Sequence, residues 1–309
     1  MKSNLLDLLE ISFGPKIMEY MNDEDVIEIM KNDDGSLFID TLSQGMIFKG
    51  YMEADKALNI VYLVANHSGQ EATLENPIIS AELPGSGFRF EGNIPPNSAT
   101  ATFNIRKYSI LDLTLDDYVK DNIMRKSQAE LIKKAVKDRK NILVVGGTGS
   151  GKTTLCNAIL NEMSQYNQRI VIIQDTKELR CTCKNKLFLN TSEYVTIRKL
   201  LKSTLRRTPT RIVIGEVRDG AALNVLIAWN TGHPGGLCTL HADSAMKGIR
   251  QFESYVMEVS ASPQREKIGD TINIIIDLQK EGLGRKVKGI IELKGYDNKK
   301  EEYIYEYLN

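Results

Sequence analysis

The sequence predicts an α/β protein in two parts: a smaller mixed α+β domain over residues 1–107 and a larger domain over 108–309 built on a parallel sheet. Three observations predict it. Short apolar runs at 141–145, 170–173, 211–214 and 236–240 alternate with helix-length segments, the pattern of a parallel sheet whose strands are buried on both faces. Proline and glycine punctuate residues 77–107 heavily, through Pro84-Gly85-Ser86-Gly87 and Pro95-Pro96-Asn97-Ser98, so the boundary is placed just past residue 107. The length, 309 residues, suits about two domains.

In the first part, Leu5, Leu8 and Leu9, then Val26, Ile27 and Met30, sit at helical spacings. The turn Asn32-Asp33-Asp34-Gly35 leads into Ser36–Asp40, read as a hairpin strand. Residues 53–66 return to helical spacing through Ala54, Ala57, Leu58, Val61 and Ala65, and short strands are expected at 77–83, 87–91 and 99–105. In the second part a helix near 127–138 precedes the apolar run 141–145. A glycine loop and an amphipathic helix carrying Leu155, Ile159 and Leu160 come next.

Hydrophobic residues make up 42% of the chain and charged residues 26%, which is enough apolar material for a sizeable core and argues against disorder. Forty basic side chains balance forty acidic ones, so no global field draws the chain to nucleic acid or an acidic membrane. The first fifty residues carry 4 basic and 10 acidic side chains, an acidic piece on a mildly basic body. No apolar stretch approaches the roughly 20 residues of a membrane-spanning helix, and the N-terminus has no long apolar core of a secretory signal. Four cysteines make no disulfide framework. A cytoplasmic protein is expected.

Residues Gly146, Gly147, Thr148, Gly149, Ser150, Gly151, Lys152, Thr153 and Thr154 fit G-x-x-x-x-G-K-[ST], after a buried strand and at the start of a helix. The glycines let backbone N–H groups wrap a β-phosphate, and the helix N-terminus adds positive potential. Lys152 is expected to reach the β- and γ-phosphates of ATP, with the Thr153 hydroxyl on Mg²⁺. Arg211–Glu216 reads as an apolar strand ending in an acid. The position of the usual metal-holding aspartate falls at Gly215, which leaves Glu216 to orient or deprotonate the attacking water. Asp175-Thr176-Lys177-Glu178 closes another strand, and both acidic clusters fall at strand carboxyl ends, where ligands gather. Asp175 reads either as a Mg²⁺ residue acting through water or as a turn cap. Two of the three histidines, His233 and His241, flank Cys238. The spacing fits no standard zinc pattern, and His241 reads as a γ-phosphate sensor or as a structural histidine. Cys181-Thr182-Cys183 reads as buried cysteine rather than a redox pair.

These elements, in this order, resemble the hexameric secretion ATPases, which include type IV secretion and conjugative-transfer motors, type II secretion ATPases and type IV pilus motors. The family marks are a Walker A loop, an Asp box, an atypical Walker B ending Gly-Glu-Val-Arg and a His box, here similar to 146–154, 172–179, 212–218 and 231–243. The phrase Ala228-Trp229-Asn230-Thr231-Gly232-His233-Pro234-Gly235-Gly236 is especially similar to the TrbB-type conjugative-transfer branch, and Asn32–Gly35 and Ile105-Arg106-Lys107 also have counterparts there. The resemblance implies a RecA-like C-terminal domain, a PAS-like N-terminal domain, and a homo-oligomeric, hexameric ring with ATP between the two domains. It implies arginines reaching the phosphates from the N-terminal side, at Arg89 and Arg106, and a site role for Arg218. Glu178 and Glu216 take the family's two glutamate roles, the choice of general base between them being open, and His241 takes the γ-phosphate role. Partners implied are other proteins of the machine at the inner face of the membrane.

Two departures bear on hydrolysis: Gln174-Asp175 stands where the family usually has Glu-Asp, and Thr208-Pro209-Thr210-Arg211 where it has Arg-Pro-Asp-Arg. The lack of paired C-x-x-C elements favours the conjugative branch over a type II secretion motor, and a pilus or type II secretion motor stands as an alternative reading. The rival to an ATP-driven motor is a slow or non-hydrolysing ATP-binding scaffold of the same machine. A nucleic-acid translocase is prompted by the basic stretch from Arg125 to Lys140, but its acids and helical spacing read better as a solvated helix face, so direct nucleic-acid binding is not expected.

Overall fold

The structure, a computed structural model, describes residues 2–107, 113–192 and 194–308, with side chains from residue 7 onward. Contacts divide the chain into two units, Met1–Ile110 and Leu111–Asn309. The boundary expected just past residue 107 adjoins 108–112, which lie outside the described residues.

The first unit opens with α1 (Lys2–Asn22), interrupted at Gly14-Pro15, where Gly14 takes φ 73° and the proline cannot continue the hydrogen-bond ladder. Leu9, Phe13, Ile17 and Tyr20 form its buried stripe. β1 (Val26–Lys31), β2 (Ser36–Thr41) and β3 (Gly45–Tyr51) come next, then α2 (Ala54–His67), β4 (Ile78–Glu82), β5 (Arg89–Asn93) and β6 (Thr102–Arg106). They make one antiparallel sheet in the order β3-β2-β1-β6-β5-β4. Val26, Ile27 and Met30 therefore lie on a strand, not a helix. The register shifts between Val26 and Glu28, and this bulge leaves both Val26 and Ile29 buried. One extra residue converts a two-residue repeat into a three-residue one, which imitates a helical spacing.

The second unit runs α3 (Leu115–Lys120), α4 (Lys126–Lys137), β7 (Ile142–Gly146), α5 (Lys152–Met163), β8 (Ile170–Gln174), β9 (Lys186–Asn190), α6 (Ile197–Thr204) and β10 (Arg211–Ile214). It continues with α7 (Ala221–Asn230), β11 (Leu237–His241), α8 (Ala245–Met257), α9 (Arg265–Thr271), β12 (Ile274–Glu281), β13 (Gly284–Asp297) and β14 (Glu302–Leu308). The sheet order is β14-β13-β12-β7-β11-β10-β8-β9. Strands from β12 to β9 pair in parallel, while β13 and β14 add an antiparallel flank that the apolar runs did not announce.

β7 shows how the sheet is covered on both faces. Ile142 and Val144 join the core with Leu155, Ile159 and Leu160 of α5, while Leu143 and Val145 join the opposite core with Val225 of α7 and Phe252 of α8. Burying each such side chain contributes about 1.5–3 kcal/mol. α5 is not amphipathic as expected: Leu155 through Leu160 are all buried, because α3 and α4 cover the side that would otherwise meet water. Trp229 of α7 donates its indole N–H to the Ile212 carbonyl at 3.1 Å. Its ring also lies where a Cβ on Gly236 would meet it at 2.1 Å.

Candidate functional site

The buried strand β7 delivers the chain into the loop 146–151, and α5 starts at Lys152. Gly149 and Gly151 hold φ of +71° and +89°, conformations an L side chain resists. A Cβ on Gly147 or Gly149 would meet nothing within 4 Å, so the loop faces open space. The Ser150 hydroxyl is buried there without a hydrogen-bond partner among the described residues. Lys152 Nζ donates to the carbonyls of Gly146 (2.9 Å) and Gly147 (2.8 Å) and lies 3.3 Å from His241 Nδ1. Exposed N–H groups, a left-handed glycine path and a helix N-terminus fit a phosphate group.

Two neighbouring strands bring further chemistry to the same end of the sheet. Past β10, the Gly215 N–H donates to the Ile173 carbonyl (2.8 Å), and the Thr239 hydroxyl donates to the Gly215 carbonyl (2.6 Å). Val217 N–H donates to the Thr239 carbonyl at 3.0 Å, so Glu216 is bracketed by backbone anchors on both sides. β11 ends at His241, whose Nε2 lies 2.8 Å from Glu216 Oε1. Arg218 Nε donates to Glu216 Oε2 at 2.8 Å. That hydrogen bond, with the charges of Glu216, Asp175 and Glu178, raises the Arg218 pKa above its ordinary value in spite of partial burial. Lys152, His241, Glu216 and Arg218 thus form a continuous chain of polar contacts across the ends of β7, β11 and β10.

The Asp175–Glu178 segment lies just past β8. Asp175 is exposed, and its Oδ1 accepts from the Thr191 hydroxyl (2.8 Å). Glu178 Oε1 accepts from the Thr176 hydroxyl (3.3 Å). Asn157, buried on α5, ties this segment to the phosphate-loop helix, its amide N–H donating to the Glu178 carbonyl (3.2 Å) and its oxygen accepting from the Arg180 N–H (2.9 Å). Sequence reasoning missed Asn157, although a lone amide among Leu155, Cys156, Ala158 and Ile159 was a signal. Gln174 is buried and turned sideways, donating to Asn190 Oδ1 (3.2 Å) and accepting from the Leu179 N–H (3.0 Å). It braces the loop carrying Glu178, a task that uses both ends of an amide.

Other residues fall elsewhere. Arg89 and Arg106 belong to the first unit, as a directly opposed cross-strand pair on β5 and β6. Cys156, Cys181, Cys183 and Cys238 are free, buried thiols, and burial pushes those of Cys156 and Cys238 upward. Along the basic stretch, Lys133 pairs with Asp116 (2.7 Å) and Glu130 (3.7 Å). Arg139 turns inward, its Nη2 donating to the Thr210 carbonyl (2.7 Å). Arg211 is fully buried at the start of β10, donating to the Val136 (2.7 Å) and Gly235 (3.2 Å) carbonyls and to Gln168. Burial first, then the neighbouring Arg139 charge, lowers the Arg211 pKa to about 10.

Residues 74–283 match the family described as Type II/IV secretion system protein. The chain is 43% identical over 296 residues to the conjugal transfer protein TrbB of Rhizobium radiobacter, covering 95% of this chain and 92% of that one. Among solved structures, the VirB11 ATPase of the Brucella suis type IV secretion system, in complex with sulphate, aligns with TM-score 0.51 at 24% identity, covering 94% of this chain and 95% of that one. The pilus retraction motor PilT with bound ADP aligns with TM-score 0.65 at 19% identity over 95% and 82% of the two chains. At those identities the likeness is one of fold, that of the RecA-like P-loop secretion ATPases.

Proposed function

The chain belongs to the Type II/IV secretion system protein family, and from that premise we propose that it hydrolyses ATP to drive a conjugative-transfer type IV secretion machine. The observation that carries this reading is the contact chain Lys152–His241–Glu216–Arg218, assembled from three adjacent strand ends beside the phosphate loop. The relatives' names support it: conjugal transfer for TrbB, and a type IV secretion ATPase for VirB11.

In this reading the loop N–H groups and the helix N-terminus bind the β-phosphate, and Lys152 exchanges its loop carbonyls for β- and γ-phosphate oxygens. Water attacks the γ-phosphorus, the bond to the bridging β,γ-oxygen breaks, and ADP and phosphate leave. Glu216 orients the water and takes its proton, Glu178 being the alternative base. His241 lies between Glu216 and Lys152, where it contacts the γ-phosphate and registers its presence. Arg218 holds the Glu216 carboxylate in place and balances charge. The oxygen donors available suit a hard cation: Thr153 and, through water, Asp175 would hold Mg²⁺, which would neutralise phosphate charge.

Finer features rest on the family resemblance. The protein works as a hexameric ring with ATP held between its two domains, and Arg89 and Arg106 reach the phosphates from the N-terminal, PAS-like part. It is cytoplasmic and joins the inner membrane through partners; among the described residues no helix is long and apolar enough to cross a membrane.

The test is phosphate release per protomer against protein concentration, with Glu216→Gln as the blank and the oligomer sized at each dose. Glu216-dependent release that rises with assembly supports a ring motor. Release no higher than the blank at every dose and size would sink the hydrolytic reading.

A further inference from the structure

The β12–β13 hairpin brings an arginine against the phosphate loop from the side opposite to His241 and Glu216. Arg285, the second residue of β13, packs its side chain on the last loop glycine: a Cβ on Gly151 would lie 2.9 Å from Arg285 Cδ and 3.0 Å from its Nε. Leu278 of β12 closes the same flank, its carbonyl 2.2 Å from where a Cβ on Gly146 would stand. The Arg285 Nε–H is buried with no hydrogen-bond partner among the described residues, an arrangement that is costly unless an acceptor arrives. Arg139 also buries an Nε–H without a partner among the described residues, but its Nη2 is held by the Thr210 and Pro234 carbonyls, away from the loop, and Arg211 has its N–H groups on protein acceptors. What sets Arg285 apart is that its unpartnered Nε–H lies against the phosphate loop.

Sheet order says which end of a nucleotide this donor meets. β7 carries the loop; β11 and β10, with His241 and Glu216, lie on one side of it, and β12 and β13 lie on the other. If the γ-phosphate lies toward His241 and Glu216, the α-phosphate and nucleoside lie toward Arg285. We propose that Arg285 is a nucleotide-binding residue acting within its own protomer, its guanidinium donating to the α-phosphate of a nucleoside di- or triphosphate held by residues 146–154. This rests on the reading of that loop as a nucleotide site.

The test is titration of the full chain with a fluorescent ADP analogue, competition by ATP, and thermal unfolding with and without ADP. Arg285→Gln keeps the packing stem and removes the charge. It should weaken ADP and ATP alike, by roughly 10- to 100-fold for a lost charge-assisted hydrogen bond. Its unfolding temperature without nucleotide should match the parent, while the rise induced by ADP shrinks; Arg285→Lys should recover part of the affinity. Parent-like ADP binding by Arg285→Gln overturns the proposal, as does a loss confined to ATP, which would place the residue at the γ-phosphate. An equal fall in unfolding temperature with and without ADP also overturns it, assigning Arg285 to packing alone. Lys152→Ala separates the two readings. If it loses ADP while Arg285→Gln does not, only this proposal fails; if it too binds ADP like the parent, the loop is not the nucleotide site and both fail.

Discussion

The two ends of β10 hold charges in opposite ways. At its start Arg211 is fully buried and held by neutral acceptors on three other segments, the carbonyls of Val136 and Gly235 and the amide of Gln168. Just past its end Glu216 is one-sixth exposed, paired with a half-exposed arginine and a half-exposed histidine. Buried charges satisfied by fixed dipoles hold structure, whereas charges that face water and one another can exchange partners when a substrate arrives. The comparison also relocates the sequence departures. Thr208 and Thr210 sit at the buried end, where Thr210 accepts from Arg139 through its carbonyl and from the Arg169 N–H through its hydroxyl. At about 3.3 Å per residue of extended chain, Thr210 lies at most roughly 20 Å from Glu216. The contacts of Thr210 bear on how the sheet is anchored.

The largest expected effect tests the anchored end. Arg211→Ala strands at least two buried carbonyls and should cost about 3 kcal/mol or more in urea unfolding; a parent-like midpoint would break the division. At the other end, Glu216→Gln should lower turnover about 100-fold or more while leaving the unfolding midpoint in place, and a large stability loss there would erase the contrast. Gly235→Ala comes next. Gly235 has φ +85°, and an added Cβ would lie 2.4 Å from Arg211 Nη1, so about 1–2 kcal/mol of destabilisation should appear in the same urea series. The smallest effect sharpens the comparison: Thr210→Asp places a carboxylate beside Arg139 and should change stability by less than about 1 kcal/mol. Steady-state turnover of that variant should stay within about twofold of the parent, and a larger rise would mean that the anchored end governs the chemistry after all.

Legibility in the sequence divides along the same line. The run from Asn141 to Thr154, the acid after Ile214 and the histidine after Leu240 were readable because doubly buried parallel strands leave uninterrupted apolar runs, and polar side chains just past their ends stand out. The bulge in β1 hid a strand behind helical spacing. β13 and β14 were hidden by alternation: Lys286, Lys288, Glu302 and Glu306 dilute the apolar positions of strands with a solvent-facing side. Arg285 was out of reach for a different reason. Its meeting with Gly151 depends on the pairing of β7 with β12, a long-range contact with no local imprint on either segment.

The chain has one tryptophan, and it is the indole wedged over Gly236 with its N–H on Ile212. The second unit therefore carries a built-in optical label packed on one face of its sheet, and the first unit carries none. Emission on tryptophan-selective excitation will track the melting of the P-loop unit alone, while far-ultraviolet circular dichroism tracks both. Overlaying the two curves measures directly whether the units unfold as one cooperative body or separately, without adding a dye or cutting the chain.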